Sequence, residues 1–169
     1  TVSFASAQDF SSAINSYLQS NQTALDLQSQ DIGDVSITRQ SFSKSMNLTN
    51  VWVNQRHQGI EIYNSSSSFA VKNGAVVNAA LSFSSNIAQK VNTTSASISA
   101  STAIFNAASA LGIQSPTNIE LLETAGANSF IFSNGTISME NIPVRLVYQT
   151  TEENTLRLAW DLSIYLLDA

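Results

Sequence analysis

Cysteine is absent from the 169-residue chain, so neither a disulfide framework nor a thiolate metal site can form, and the compartment is left open. There is one histidine. A zinc peptidase needs two, in His-Glu-x-x-His on a helix, because imidazoles one turn apart reach a single metal while the Glu acts as general base. Charged side chains are 11% of the residues, well below the roughly 25% of ordinary soluble domains, so Ser, Thr and Asn must make most of the surface. The seven basic residues are scattered along a chain of net charge −5. No basic stripe exists to neutralise phosphates, which disfavours nucleic acid and anionic membrane as partners. No apolar run approaches the roughly 20 residues of a spanning helix, and Thr1 opens no signal-peptide pattern, as expected of a trimmed or mature start. Six isolated glycines cannot cradle a phosphate, and no Gly-x-Ser-x-Gly elbow presents a nucleophile.

What is present is enough to bury a core: 43% of the residues are hydrophobic. The organising stretch runs from Leu48 to Phe83. Val51 and Val53, Ile60 and Ile62, and Phe69 and Val71 each alternate with polar neighbours, the period of a strand. Asn73-Gly74 favours a type I′ turn and predicts a hairpin of Ser67–Lys72 with Ala75–Phe83, and Gly59 marks a turn or bulge.

The run VWVNQRHQGIEIYNSSSSFAVKNGAVV resembles the fungalysin/thermolysin propeptide domain, at Val51, Val53, Gln55, His57, Gly59, Ile60, Ile62, Val71, Asn73, Gly74 and Val76. The later segment Ile142–Ala169, with Trp160 in its Leu-Ala-Trp-Asp run, is similar to the later part of proregions of fungalysin-type peptidases. The resemblance implies a secreted, extracellular proregion that helps a zinc metallopeptidase fold and keeps it silent until cleaved. Its partner would be the catalytic domain of the same precursor, which is expected to follow Ala169.

In chain order, Ser6-Ala7-Gln8-Asp9 resembles a capping box, and Phe10, Ile14, Tyr17 and Leu18 predict an amphipathic helix over 7–19. Asn21–Asp34 reads as a polar connection. Val35–Ser43 reads as a strand pairing with Leu48–His57, and Ser84–Ser99 as a polar crossing with a short helical turn. TAIFNAASALG predicts a helix with Ile104, Ala107, Ala108 and Leu111 on one face and Gly112 as its cap. Pro116–Gly126 reads as a connection, Asn134-Gly135 as a second hairpin turn between Phe130–Ser133 and Thr136–Met139. Val144, Leu146 and Tyr148 then pair across Thr151–Asn154 with Leu156, Leu158, Trp160, Leu162 and Ile164, giving a second sheet its core. These elements predict an α+β fold, with helices packed on antiparallel sheets in two cystatin-like halves, residues 1–84 and 85–169, as two closely packed lobes or one continuous domain.

No complete catalytic constellation can be written, so the chain is expected not to be an enzyme and to need no metal or cofactor. His57 in its strand reads as structural, and Glu152-Glu153 as solvated turn charges. Asp161 is expected to pair with Arg145 or Arg157. Sequons stand at Asn21, Asn47, Asn64, Asn92 and Asn134, close to the number that 16 Asn and 41 Ser plus Thr produce by chance. Asn64, Asn92 and Asn134 are the better acceptors. A second function follows from the low charge and from strands with little Lys or Pro: a freestanding secreted adhesive or structural protein that self-associates through its sheet edges.

Overall fold

Two left-handed dipeptides fold the Leu48–Phe83 stretch back on itself. Asn73 and Gly74 have φ of +51° and +77°, and Gln58 and Gly59 have +50° and +78°, the signs a type I′ turn requires. The first turn joins β4 (Ser67–Lys72) to β5 (Ala75–Ala80), and the second joins β2 (Leu48–His57) to β3 (Ile60–Ile62). Gly59 is thus a turn residue. The β5 strand ends at Ala80, three residues short of Phe83.

The computed structural model describes residues 7–166. The cap signal at Ser6 and the last residues of the Ile142–Ala169 resemblance lie outside them. Within them, α1 (Ala7–Asn21) is followed by α2 (Ser29–Ile32), β1 (Val35–Ser43) and the strands just named. Then come α3 (Ile87–Lys90), α4 (Ala100–Ala110), β6 (Leu121–Thr124), β7 (Ser129–Phe132), β8 (Ile142–Thr150) and β9 (Leu156–Leu162). The fold is sheet-dominated and mixes α and β; two of its four helices are single turns.

The strands make one continuous nine-stranded sheet, where the sequence suggested two separate antiparallel sheets. The first group is a meander, β1-β2-β4-β5, and the second is another, β6-β7-β8-β9. β3 joins them. It pairs antiparallel with the end of β2 and parallel with β8, through Glu61↔Val147 and Ile62↔Tyr148, which makes the sheet mixed. A three-residue strand carries too little pattern to announce a parallel partner more than eighty residues away.

All four helices cover one face. Phe10, Ala13, Ile14 and Leu18 of α1 and Ile32 of α2 pack on Val51, Val53, Phe69 and Val71. Ala100, Ile104 and Ala108 of α4 pack on Phe132, Ile142 and Val144. Between them Ile87 of α3 closes a third cluster with Ile60, Ile62, Leu146, Tyr148 and Leu156. Ser99 caps α4 by accepting from the Thr102 N–H. At its other end the Gly112 and Ile113 N–H groups return to Ser109 and Ala108, a Schellman cap with φ +68° at Gly112. Leu111 is 64% exposed, so the buried face of α4 keeps the expected Ile104 and Ala108 but continues toward the N-terminus through Ala103 and Ala100 and stops short of Leu111.

Two further expectations fail in the second half. Leu121–Thr124 is a strand, β6, which lacks period two because it overhangs the edge with all four residues exposed. Asn134-Gly135 makes no hairpin. The positive φ values fall one residue later, on Gly135 and Thr136, and the Ile137 and Ser138 N–H groups both return to the Asn134 carbonyl. The hairpin turn is instead between β6 and β7.

Candidate interaction surface

The face opposite the helices is formed by the alternate residues of the same strands, and charge is concentrated there. Asp34, just before β1, binds Arg56 of β2, with Nη2 at 2.7 Å and Nε at 2.9 Å from Oδ1. Its other oxygen accepts from the Gly59 N–H at 2.8 Å, which fixes the β2–β3 turn. Glu61 of β3 stands opposite Arg56 in the register and accepts from Arg145 Nη1 of β8 at 3.0 Å. Arg145 Nε donates to Asp161 of β9 at 2.9 Å. Five alternating charges therefore cross four strands and span the β3 junction. Burial opposes the charge on Arg145, but the bond to Asp161 and the field of Glu61 and Asp161 outweigh it and raise its pKa above the ordinary arginine value. Of the two partners the sequence allowed Asp161, the structure selects Arg145.

Beside this ladder, Arg39 of β1 lies over the Trp52 ring of β2, its guanidinium carbon 3.8 Å from the ring centroid. The register shift that skips Thr38 brings Arg39 opposite Trp52. Asn54, next along this face of β2, has a buried Oδ1 with no hydrogen-bond partner.

On the helix side, the notable polar group is Asp31, placed by α2 and fully buried. Its Oδ2 accepts from the Gln28 and Asn86 N–H groups at 2.7 and 2.8 Å, and its Oδ1 from the Ile87 N–H at 2.9 Å. Gln55, also fully buried, donates from Nε2 to the carbonyls of Asp31 and Ser84 and accepts the Ser84 N–H, all at 2.8 Å. Ser65 Oγ accepts from the Gln55 N–H at 2.9 Å. Asp31 is a structural hub that pattern reading hid inside a polar connection. Nothing in its local sequence could have revealed it, because two of its donors are 55 and 56 residues away.

The residues singled out from the sequence separate into three groups. Val51, Val53, Gln55 and Ile60 are buried on the helix side; Gly59, Asn73 and Gly74 form the turns; and Trp160, half-buried, donates from Nε1 to the Ile98 carbonyl. His57 is half-buried and edge-on to Tyr148, with ring centroids 6.0 Å apart. Glu152 and Glu153 are exposed in the β8–β9 turn. Among the described residues no three His, Asp or Glu are grouped to hold a metal ion. Four sequons, Asn47, Asn64, Asn92 and Asn134, are exposed; Asn21 is half-buried at the end of α1 and donates from Nδ2 to the Tyr17 carbonyl at 2.8 Å. Asn92 Oδ1 accepts from the Leu158 N–H, which leaves its Nδ2 available.

Compared with known proteins, the chain matches no protein-family model and no curated protein.

Proposed function

We propose that the chain is the non-catalytic proregion of a secreted zinc metallopeptidase, acting as intramolecular chaperone and inhibitor of the catalytic domain in its own precursor. The observation that carries this reading is where the two resembling segments lie. Leu48–Phe83 and the stretch from Ile142 are separated by almost sixty residues, yet they meet at the β3–β8 pair, where the Tyr63 N–H also donates to the Tyr148 carbonyl at 2.9 Å. Each half, a helix lying across a four-stranded meander, is read as a cystatin-like unit, with the boundary near residue 84. Such a body works by contact. Docked on the native peptidase but not on its unfolded chain, it lowers the free energy of the folded state by mass action, and the polypeptide between the two blocks the cleft.

The self-associating alternative draws less support. Register shifts skip Thr38 in β1, Val77 in β5 and Leu122 in β6, so three of the four edge strands are irregular, a device that blunts pairing with another chain where Lys and Pro are scarce.

The test is the precursor itself. A domain bearing His-Glu-x-x-His is expected after Ala169, and the separately purified chain is expected to slow that domain's peptide hydrolysis and raise its refolding yield. A reading frame that closes without such a domain, or a peptidase indifferent to saturating chain, rejects the proposal.

A further inference from the structure

We infer that the open face of the sheet is the docking surface for an acidic protein partner, and that this partner, on the proregion reading above, is the peptidase domain of the same precursor. The chain is net acidic, at −5, yet five of its seven basic residues, Arg39, Arg56, Lys72, Arg145 and Arg157, lie on this one face. Scattered in sequence, they are gathered by the alternation of β1, β2, β4, β8 and β9. Lys44 and Lys90 lie off it, in the β1–β2 turn and on α3.

The carboxylates on that face do not cancel this charge evenly. Asp34, Glu61 and Asp161 are committed to Arg56 and Arg145. Arg39, Lys72 and Arg157 are exposed and have no carboxylate partner among the described residues. Glu123, on the distant edge strand β6, is a further acid on this side. The face is therefore locally positive on a negative body, which selects a partner carrying carboxylates. A polyanion such as nucleic acid would meet the three ladder carboxylates and the net charge of the whole chain.

One local feature suits a protein occupant. Trp52 under Arg39 supplies a rigid aromatic and a pre-oriented guanidinium, the pair of residue types that most often anchors an interface. Around them Ser68, Ala70, Asn78 and Ala80 are short and let a second backbone approach.

The experiment measures binding of the full chain to the separately produced peptidase domain, over a salt series, for two charge-matched double variants. R39E/R157E reverses charge on the open face, and K44E/K90E reverses the same charge off it; unchanged thermal midpoints establish that both fold. The expected result is a loss of about 30-fold for R39E/R157E with a flattened salt dependence, and less than about threefold for K44E/K90E. Wild-type binding that R39E/R157E leaves intact, or that both variants weaken equally, overturns the docking surface while the proregion reading stands. A wild-type dimer in sedimentation that R39E/R157E dissolves makes the occupant a second copy and also overturns it. Absence of wild-type binding removes both the surface and the function on which it rests.

Discussion

Gln55 and Asp31, 24 residues apart and both fully buried, meet where Gln55 Nε2 donates to the Asp31 carbonyl at 2.8 Å. The pair closes a junction of α2, β2 and the crossing that begins at Ser84, because the Asp31 carboxylate takes the N–H groups of Asn86 and Ile87. Asn86 is held there with φ +56°, a conformation the junction must stabilise. Asp31→Ala leaves three backbone donors without their acceptor and is expected to cost about 3–5 kcal/mol, a fall in melting midpoint of about 10 °C. Asp31→Asn keeps the shape and one acceptor oxygen and should lose less. Calorimetry showing Asp31→Ala within about 1 kcal/mol of wild type would remove the junction from the stability argument.

This junction marks the limit of what the sequence made legible. Strands β2 and β4 and the Asn73-Gly74 turn could be read because one buried face imposes period two and positive φ demands Asn and Gly, whereas β1, with no buried residue, shows the alternation only at Val35 and Ile37. Leu121–Thr124 was hidden because both its faces are wet, so nothing forces alternation. The Asn134-Gly135 signal misled because Thr136, a β-branched residue, takes φ +63°, and no local preference predicts that. The charge ladder was half visible: Arg56 and Glu61 alternate out of apolar runs, but their alignment with Arg145 depends on the register of β3 against β8.

That alignment can be measured. Arg145 is 43% exposed, so its pairs with Glu61 and Asp161 are screened, and Glu61→Gln and Asp161→Asn are each expected to cost only about 0.5–1 kcal/mol, shrinking in molar salt. Because its folded pKa is raised, Arg145 contributes this stability fully below its unfolded pKa and loses it only as pH rises through the folded value, in strong alkali. A double-mutant cycle of Glu61 and Arg145 with no coupling at low salt would dissolve the ladder as an energetic unit.

Glycines 74 and 135 both sit at positive φ but should respond differently. A Cβ at Gly74 meets nothing within 4 Å, so Gly74→Ala carries only the backbone penalty, about 1–2 kcal/mol. At Gly135 a Cβ would collide with Ile119 Cδ1 and lie 3.1 Å from Pro116 Cβ, adding a packing cost, and Gly135→Ala is expected to lose about 2–4 kcal/mol. Chemical denaturation of the two variants compares them directly. Equal losses would mean that Ile119 moves aside freely.

Among the sequons, accessibility of Nδ2 sets the order of use. Expressed through a eukaryotic secretory pathway, the chain is expected to carry glycans at the exposed turn residues Asn47, Asn64 and Asn134. Asn21, whose Nδ2 is engaged by Tyr17 on the last turn of α1, is expected to stay bare once the helix has formed. Glycopeptide mass spectrometry reads this site by site, and full occupancy at Asn21 would show that modification precedes folding of α1.

Tyr148 carries the clearest dependence on pH. Its side chain is fully buried in the cluster between the two meanders, and its hydroxyl donates to the Thr93 carbonyl at 3.0 Å. Burial penalises the phenolate and pushes its pKa above the ordinary tyrosine value. The folded chain therefore holds this proton where the unfolded chain has released it. Stability from the neutral phenol is fully present below the unfolded pKa, about 10, and is lost as pH rises through the higher folded value. Over that window the wild-type protein should lose up to about 1.4 kcal/mol per pH unit through this group. Tyr148→Phe gives up the bond to Thr93, about 1 kcal/mol near neutrality, but removes the titrating group. Its stability curve is therefore expected to start lower and to fall less steeply above about pH 10. Denaturation midpoints measured for both proteins across alkaline pH decide the matter, and parallel curves would mean that Tyr148 ionises in the fold as readily as in the unfolded chain.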